Sequence, residues 1–223
     1  MPGYFVGLNL IGRDALVIGG GKIAAFKVDG LLACGARVRV VSPEFVPELA
    51  ARDDISCIAR PYAPELLGDP IAVFACTDDT ELNRRIADDA KARGLLCNAV
   101  DDPEYCDFFV PAMLHRGDLT VAVGTAGASP SLAATVRDRL ASQITPELAI
   151  LVDAVRRMRR RIQEQWPTGA RRLELLSRLG SDESLELFER QGLDAWQRWA
   201  DRLSVESADG KEDNSRTRED ELA

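Results

Sequence analysis

The chain is poor in metal-binding side chains. It has one histidine, His115, and its five cysteines (Cys34, Cys57, Cys76, Cys97, Cys106) never stand as a C-x-x-C pair. A zinc site built from His and Cys needs such clustering, so no resident metal is expected. Three of the cysteines fall in apolar strand-like runs, and as a set they read as reduced, mostly buried small hydrophobes. Long apolar runs are also missing, which excludes a bilayer-spanning helix. Met1-Pro2-Gly3-Tyr4-Phe5 has no basic stretch ahead of an apolar one. A secretory signal is therefore not expected, and the cytoplasm is the default compartment. Positive charge is in deficit, with 28 Lys and Arg against 36 Asp and Glu, a net −8. Phosphate neutralisation needs a basic surface, so neither nucleic acid nor a membrane is an expected partner. Internal repeats are absent.

What is present suits a globular protein with one good core and a smaller appendage: 223 residues, 46% hydrophobic and 29% charged. The most informative stretch is a short apolar strand, Ala15-Leu16-Val17-Ile18, running into Gly19-Gly20-Gly21 and then into a helix opening at Lys22. Gly19 permits a tight turn. Gly21 lacks a Cβ, so a pyrophosphate can approach the main chain. Ala24 completes G-x-G-x-x-A at the position where helix packs close to strand. The amide groups and positive dipole end of the helix then face the anion. A bare glycine loop is the competing reading. The helix over 22–34 ends at Gly35, and the strand Arg37-Val38-Arg39-Val40-Val41 completes a βαβ unit.

Strands and helices continue to alternate. Strands are expected over 55–59, 71–76 and 95–100, a helical turn over 64–67, and a helix over 80–93 with Leu82, Ile86 and Ala90 as its buried stripe. Such alternation means an α/β fold with a doubly wound parallel sheet. The rhythm breaks at Phe108-Phe109-Val110-Pro111. His115-Arg116-Gly117-Asp118 reads as a turn and Leu119-Thr120-Val121-Ala122-Val123 as a strand, an antiparallel addition suited to subunit pairing. Helices are expected over 132–140, from Thr145 (N-cap) and Pro146 (N1) to about 165, and over 170–179, 184–191 and 194–203. The domains are accordingly 1–112 for dinucleotide binding, 113–144 for dimerisation, 145–205 helical, and 206–223 a polar, disordered tail.

Four constellations carry chemistry. Asn98-Ala99-Val100-Asp101-Asp102-Pro103 ends a strand, where open α/β sheets place their ligand crevice. Either aspartate could serve as a general base there, although Asp-Asp-Pro is also good turn chemistry. Cys76-Thr77-Asp78-Asp79 ends another strand, at the crest that faces a dinucleotide, and Asp79 or Thr80 could equally cap a helix. Gly124-Thr125-Ala126-Gly127-Ala128-Ser129-Pro130 admits a close ligand or partner backbone, and Ser129 also stands as an N-cap. Arg156-Arg157-Met158-Arg159-Arg160-Arg161 is either a solvated helix face or a docking face for a polycarboxylate. At the end of the second strand, where an NAD site usually carries an acid for the ribose, stand Ser42, Pro43 and then Glu44. NAD is favoured, with NADP open.

In order and spacing, these residues resemble the precorrin-2 dehydrogenase family, which includes the N-terminal part of siroheme synthase. The resemblance covers roughly 4–203. It rests on Gly12-Arg13, Val17-Ile18-Gly19-Gly20-Gly21, Ala75-Cys76-Thr77-Asp78-Asp79 with Asn83, Asn98-Ala99-Val100-Asp101, Phe108-Phe109-Val110-Pro111-Ala112 and Thr125-Ala126-Gly127-Ala128-Ser129-Pro130.

The resemblance implies a Rossmann-type domain, a dimerisation region, a C-terminal helical domain and a homodimer. It implies NAD-dependent oxidation of precorrin-2 to sirohydrochlorin. In some members Fe²⁺ insertion to siroheme follows, with iron as a substrate held by the macrocycle rather than by the protein. The family's key aspartate matches Asp101. Its cofactor contacts match Gly19, Gly20, Gly21, Lys22, Ile23, Pro43 and Glu44, with Thr77 and Asp78 on the facing crest. Thr125 falls on a small hydroxyl position, and Gly124 stands where a second hydroxyl is often found. The substrate is a polycarboxylate, so basic side chains must meet it. Arg116, Arg137 and the run from Arg156 to Arg161 are the candidates, with Asn98, Thr125 and Ser129 as polar contacts. The methyltransferase domain of the fused siroheme synthases is not in this sequence, so uroporphyrinogen methylation is not expected. The competing readings are another nicotinamide-dependent oxidoreductase, and an NAD(H)-sensing regulatory module that needs no catalytic acid.

Overall fold

The computed structural model describes residues 4–205, so the expected tail lies outside the described residues. By contacts the chain forms two units. One runs to Pro111 and takes in Gly124–Pro130, and the other comprises Ala112–Val123 with the residues from Ser131 onward.

The first unit is a five-stranded sheet of order β3-β2-β1-β4-β5, with every pairing parallel. The strands are β1 (Asp14–Ile18), β2 (Arg37–Ser42), β3 (Ser56–Ala59), β4 (Ala72–Ala75) and β5 (Cys97–Ala99). Between them lie α1 (Lys22–Ala33), the single turn α2 (Pro47–Ala50), a 3₁₀ turn (Pro64–Leu66) and α3 (Thr80–Ala92). Alternation of side chains along β1 divides the core in two. Ala15 and Val17 pack with Val28 and Leu31 of α1 on one face. Leu16 and Ile18 pack with Ile86 and Ala90 of α3 on the other. The direction of winding reverses between β1 and β4, and a crevice opens beyond the carboxyl ends of strands at such a switch point.

The second unit holds an antiparallel hairpin, β6 (Ala112–Arg116) with β7 (Leu119–Val123), and four helices. These are α4 (Pro130–Ala141), α5 (Glu147–Gln165), α6 (Ala170–Leu179) and α7 (Asp182–Val205). Leu151, Ala154, Met158 and Ile162 form the buried stripe of α5, packed with Leu175 and Leu179 of α6 and with Phe188, Trp196, Ala200 and Leu203 of α7. Gly192, at φ 77° and ψ −176°, breaks α7 into the two helical stretches expected from the sequence. No helix among the described residues is long and apolar enough to cross a membrane.

Three expectations are corrected. His115 and Arg116 belong to β6 rather than to the turn, which is only Gly117-Asp118, with Gly117 at φ 55° supplying the left-handed residue. The hydrogen-bonded part of α5 starts at Glu147, and no side chain caps it. The Thr145 hydroxyl instead bonds the Glu147 carboxylate and lowers its pKa. The cysteines are not mostly buried: Cys76 and Cys97 are, Cys106 is half-buried, and Cys34 and Cys57 are exposed. Cys34 lies just beyond the end of α1 and Cys57 on the edge strand β3, where one side faces solvent.

Candidate functional site

The three glycines after β1 are glycines for different reasons. Gly19 sits at φ 122°, and a Cβ there would overlap the Cys76 carbonyl oxygen and come within 2.7 Å of its carbon. A Cβ on Gly20 would overlap the Glu44 carbonyl oxygen and stand 2.8 Å from Ser42 Oγ. The Gly20 carbonyl in turn accepts from the Val46 amide at 2.8 Å. Gly21 has nothing within 4 Å of where its Cβ would lie. It occupies the N-cap of α1, which no side chain caps. The first two glycines therefore let the chain pack on itself. The third leaves main-chain amides open to an anion, at the end of a helix whose dipole favours one. Ala24 is fully buried, as close helix–strand packing requires. This cradle fits a dinucleotide pyrophosphate.

Those contacts also gather the other cofactor candidates. Gly20 against Glu44 brings Pro43 and Glu44, both exposed, to the glycine turn. Gly19 against Cys76 brings in Thr77 and the exposed Asp78. Lys22 and Ile23 open α1 on its exposed side. Asp79 caps α3, accepting from the Leu82 amide at 3.1 Å, which settles the choice between Asp79 and Thr80. Asn83, 3% exposed, is the residue whose work the sequence concealed. Its Oδ1 accepts from the Thr77 amide at 3.1 Å and the Thr77 hydroxyl at 2.7 Å, and its Nδ2 donates to the Thr77 carbonyl at 3.0 Å. The available signal was an amide set in the apolar stripe of a helix.

Asp101 and Asp102 part company just beyond β5. Asp101 is exposed and left-handed, at φ 60°. That conformation costs an L-residue about 1–2 kcal/mol, and aspartate tolerates it better than most. Asp102 is buried and receives Arg84 Nε at 2.7 Å. Asn98 is buried too, its Nδ2 donating to the Phe108 carbonyl at 2.9 Å with Cys106 Sγ at 3.4 Å, so its amide braces the following loop. Asp107 closes that loop, accepting from the Cys97 amide at 2.9 Å and donating its own amide to the Cys97 carbonyl at 2.8 Å. Burial pushes the Cys76 and Cys97 thiols up to about 12 and raises Cys106 as well. Burial thereby disfavours the thiolate form at these positions.

Thr125 and Ser129 close a turn on each other. Thr125 Oγ1 donates to the Ser129 carbonyl and accepts from its amide, both at 3.1 Å. Between them Ala126 and Gly127 are left-handed, at φ 51° and 83°. Gly124 lies against the exposed Phe5 ring, which a Cβ there would overlap and have to displace. Arg116 and Arg137 belong to the second unit. Arg116 donates to the Ile144 and His115 carbonyls, and Arg137 pairs with Asp138. In the arginine run, Met158 is core, Arg156 pairs with Asp118 and Asp153, and Arg161 pairs with Asp201. Two of the five arginines of the run are thus balanced by acids.

A family model described as NAD(P)-binding matches residues 6–112, and one for the central part of sirohaem biosynthesis proteins matches 116–143. The siroheme synthase of Methylobacillus flagellatus is 39% identical over 168 residues, 74% of this chain and 36% of the relative. That of Chromobacterium violaceum is 44% identical over 140 residues, 61% of this chain and 30% of the relative. That of Thioalkalivibrio sulfidiphilus is 38% identical over 191 residues, 84% and 39% of the two chains. The matched part thus spans 30–39% of these relatives' length. Among solved structures, SirC, a precorrin-2 dehydrogenase, superposes with a TM-score of 0.70 at 25% identity, covering 91% of this chain and 99% of the other.

Proposed function

This chain belongs to the family of precorrin-2 dehydrogenases and siroheme synthase N-terminal parts and carries its NAD(P)-binding domain, and on that premise we propose that it oxidises precorrin-2 to sirohydrochlorin with NAD. The observation that carries the reading is the open Gly21 cradle at the uncapped start of α1, on the same carboxyl edge of the sheet as an exposed, left-handed Asp101. A bound nicotinamide dinucleotide supplies the hydride acceptor. Gly19, Gly20 and Gly21, with the Lys22 and Ile23 end of α1, hold the pyrophosphate. Thr77 and Asp78 line the facing crest. Glu44 meets the ribose hydroxyls, and its carboxylate would repel the 2′-phosphate of NADP. Oxidation removes a hydride and a proton from the reduced macrocycle, and the Asp101 carboxylate takes the proton. Asn98, Thr125 and Ser129 are proposed polar contacts, and Arg116 and Arg137 proposed partners of the substrate carboxylates.

Iron insertion would draw on the same carboxylate, with Asp101 accepting pyrrole protons as Fe²⁺ enters the ring. Fe²⁺ would enter as a substrate held by the macrocycle; among the described residues no three His, Cys, Asp or Glu side chains group as metal ligands. We further propose a homodimer formed through 113–144. Leu132 and Val136, one turn apart on α4, are 55% and 37% exposed, and β6 and β7 form a sheet of only two strands. All five cysteines are free thiols, which supports a reducing, cytoplasmic setting.

Anaerobic incubation with precorrin-2 and NAD⁺, followed by visible spectra and NADH formation, tests the reading. Conversion is expected, with Asp101→Ala losing turnover while still binding NAD⁺. An Asp101→Ala protein of undiminished function would favour an NAD(H)-sensing module instead. Subsequent Fe²⁺ or Co²⁺ addition reads chelation against a no-enzyme control. Light scattering reads the dimer.

A further inference from the structure

Asp102 stands at the N-cap of a 3₁₀ turn, Pro103–Tyr105, yet its side chain does not cap that turn. Its carboxylate, 11% exposed, points to α3 and meets Arg84 Nε at 2.7 Å. The same guanidinium lies 5.3 Å over the Tyr105 ring, and its Nη1 is held at 3.1 Å by Glu81 on its own helix. One planar group therefore grips the loop at both ends of the turn, from an element the loop does not otherwise belong to. Main-chain bonds tie the two ends of the loop to the sheet, Val100 to Ala75 at 2.9 Å and Asp107 to Cys97 at 2.8 Å, while those between are local: Asp102 to Ala99 at 3.4 Å, Tyr105 to Asp102 at 3.1 Å and Cys106 to Pro103 at 3.3 Å. Asp101, left-handed and exposed, precedes the gripped residue directly. A strained residue at a functional position persists only where its surroundings hold it.

We propose that Arg84 is a positioning residue: through Asp102 and Tyr105 it anchors the loop after β5 to α3 and so fixes where the Asp101 carboxylate stands. This rests on the reading of Asp101 as the proton acceptor. The planar, stackable guanidinium, with Nε on Asp102, Nη1 on Glu81 and its face over Tyr105, is the reason for arginine here, and lysine reproduces its charge without that plane. Misplacing a reacting group by an ångström can cost on the order of 100-fold in rate.

The test compares Arg84→Met, Arg84→Lys and Asp101→Ala with the double variant Asp101→Ala/Arg84→Met, all as full chains with NAD⁺ and precorrin-2. Arg84→Met is expected to lower kcat by about 10- to 100-fold with the NAD⁺ Kd unchanged, and Arg84→Lys to recover part of it. The double variant is expected to be no slower than Asp101→Ala alone, because a residue acting through Asp101 has nothing left to act on. An unchanged kcat in Arg84→Met, or additive losses in the double variant, would overturn the proposal. Hydrogen exchange across residues 97–108 needs no substrate. Faster exchange in Arg84→Met supports the anchor, and unchanged exchange overturns it. If the wild-type protein converts no precorrin-2, the functional reading fails by itself, and exchange alone decides the anchor.

Discussion

Asn83 holds Thr77 from both sides, its oxygen accepting from the Thr77 amide at 3.1 Å and its nitrogen donating to the Thr77 carbonyl at 3.0 Å. An amide side chain offers a donor and an acceptor side by side at this spacing. It fastens the crest after β4 to the first turn of α3, and that crest borders the glycine turn through Gly19 and Cys76. Replacing it by leucine leaves two main-chain groups unmet.

Asn83→Leu is expected to destabilise the first unit by about 1–3 kcal/mol and to weaken NAD⁺ binding, because the crest loses its tether. Thermal unfolding and a dinucleotide titration read the two effects. A full-affinity, full-stability variant would contradict the assignment.

Alanine at Gly20 and at Gly21 should behave oppositely. At Gly20 the added Cβ overlaps the Glu44 carbonyl, main chain that cannot swing aside, so destabilisation of at least about 1–3 kcal/mol is expected. At Gly21 the Cβ meets no protein atom. Gly21→Ala should cost at most the difference between glycine and alanine at an N-cap, about 1 kcal/mol, and lose dinucleotide affinity, since the methyl group takes the space of the ligand. Melting curves with and without NAD⁺ separate the two cases.

Buried Trp196 donates its indole N–H to Ser184 Oγ at 2.7 Å, joining the two stretches of α7 across the break at Gly192. Ser184→Ala leaves that donor unpaired and should cost the helical unit about 1–3 kcal/mol. Tryptophan fluorescence in urea reads this loss, and NAD⁺ affinity should not change.

Cys76 and Cys97 carry an alkaline limit. Their thiols ordinarily ionise near 9.0, and burial raises both to about 12 in the folded chain. A group whose folded value is raised contributes stability that is complete below its unfolded value and lost as pH rises through the folded one. Stability of the first unit is therefore expected to fall between pH 9.0 and about 12. Cys76→Ala should flatten that slope. At pH 8 iodoacetamide should modify exposed Cys34 and Cys57 and spare Cys76 and Cys97 until urea unfolds the chain, as peptide mass mapping would report.

The order strand, glycine turn, helix was legible because each signal is local. Val17 and Ile18 alternate across one strand, the turn follows without a gap, and Ala24 sits one helical turn on. Residues 170–179 were equally legible as a helix, and Gly192 marked the break in the last one, because periodicity and glycine act over a few residues. Less legible was the hairpin. His115-Arg116-Gly117-Asp118 has turn composition throughout, yet only Gly117-Asp118 turns, since pairing of His115 with Thr120 and of Arg116 with Leu119 extends both strands.

By itself, then, the sequence determined the α/β alternation, the anion-binding start of α1 and the candidate residues along the carboxyl edge of the sheet, all of which follow from spacing within one element or its neighbour. The tertiary structure decided what spacing cannot carry. Gly20 must be glycine because a carbonyl from the end of β2 lies against it. Cys57 is exposed and Cys97 buried although β3 and β5 are both edge strands, because Cys97 packs in the cluster with Ile86, Ala87 and Ala90 of α3 and Cys57 has no such cover. Asp101 and Asp102 are the same residue twice over, and only the approach of Arg84 from another element makes Asp102 an anchored, buried carboxylate while Asp101 stays exposed.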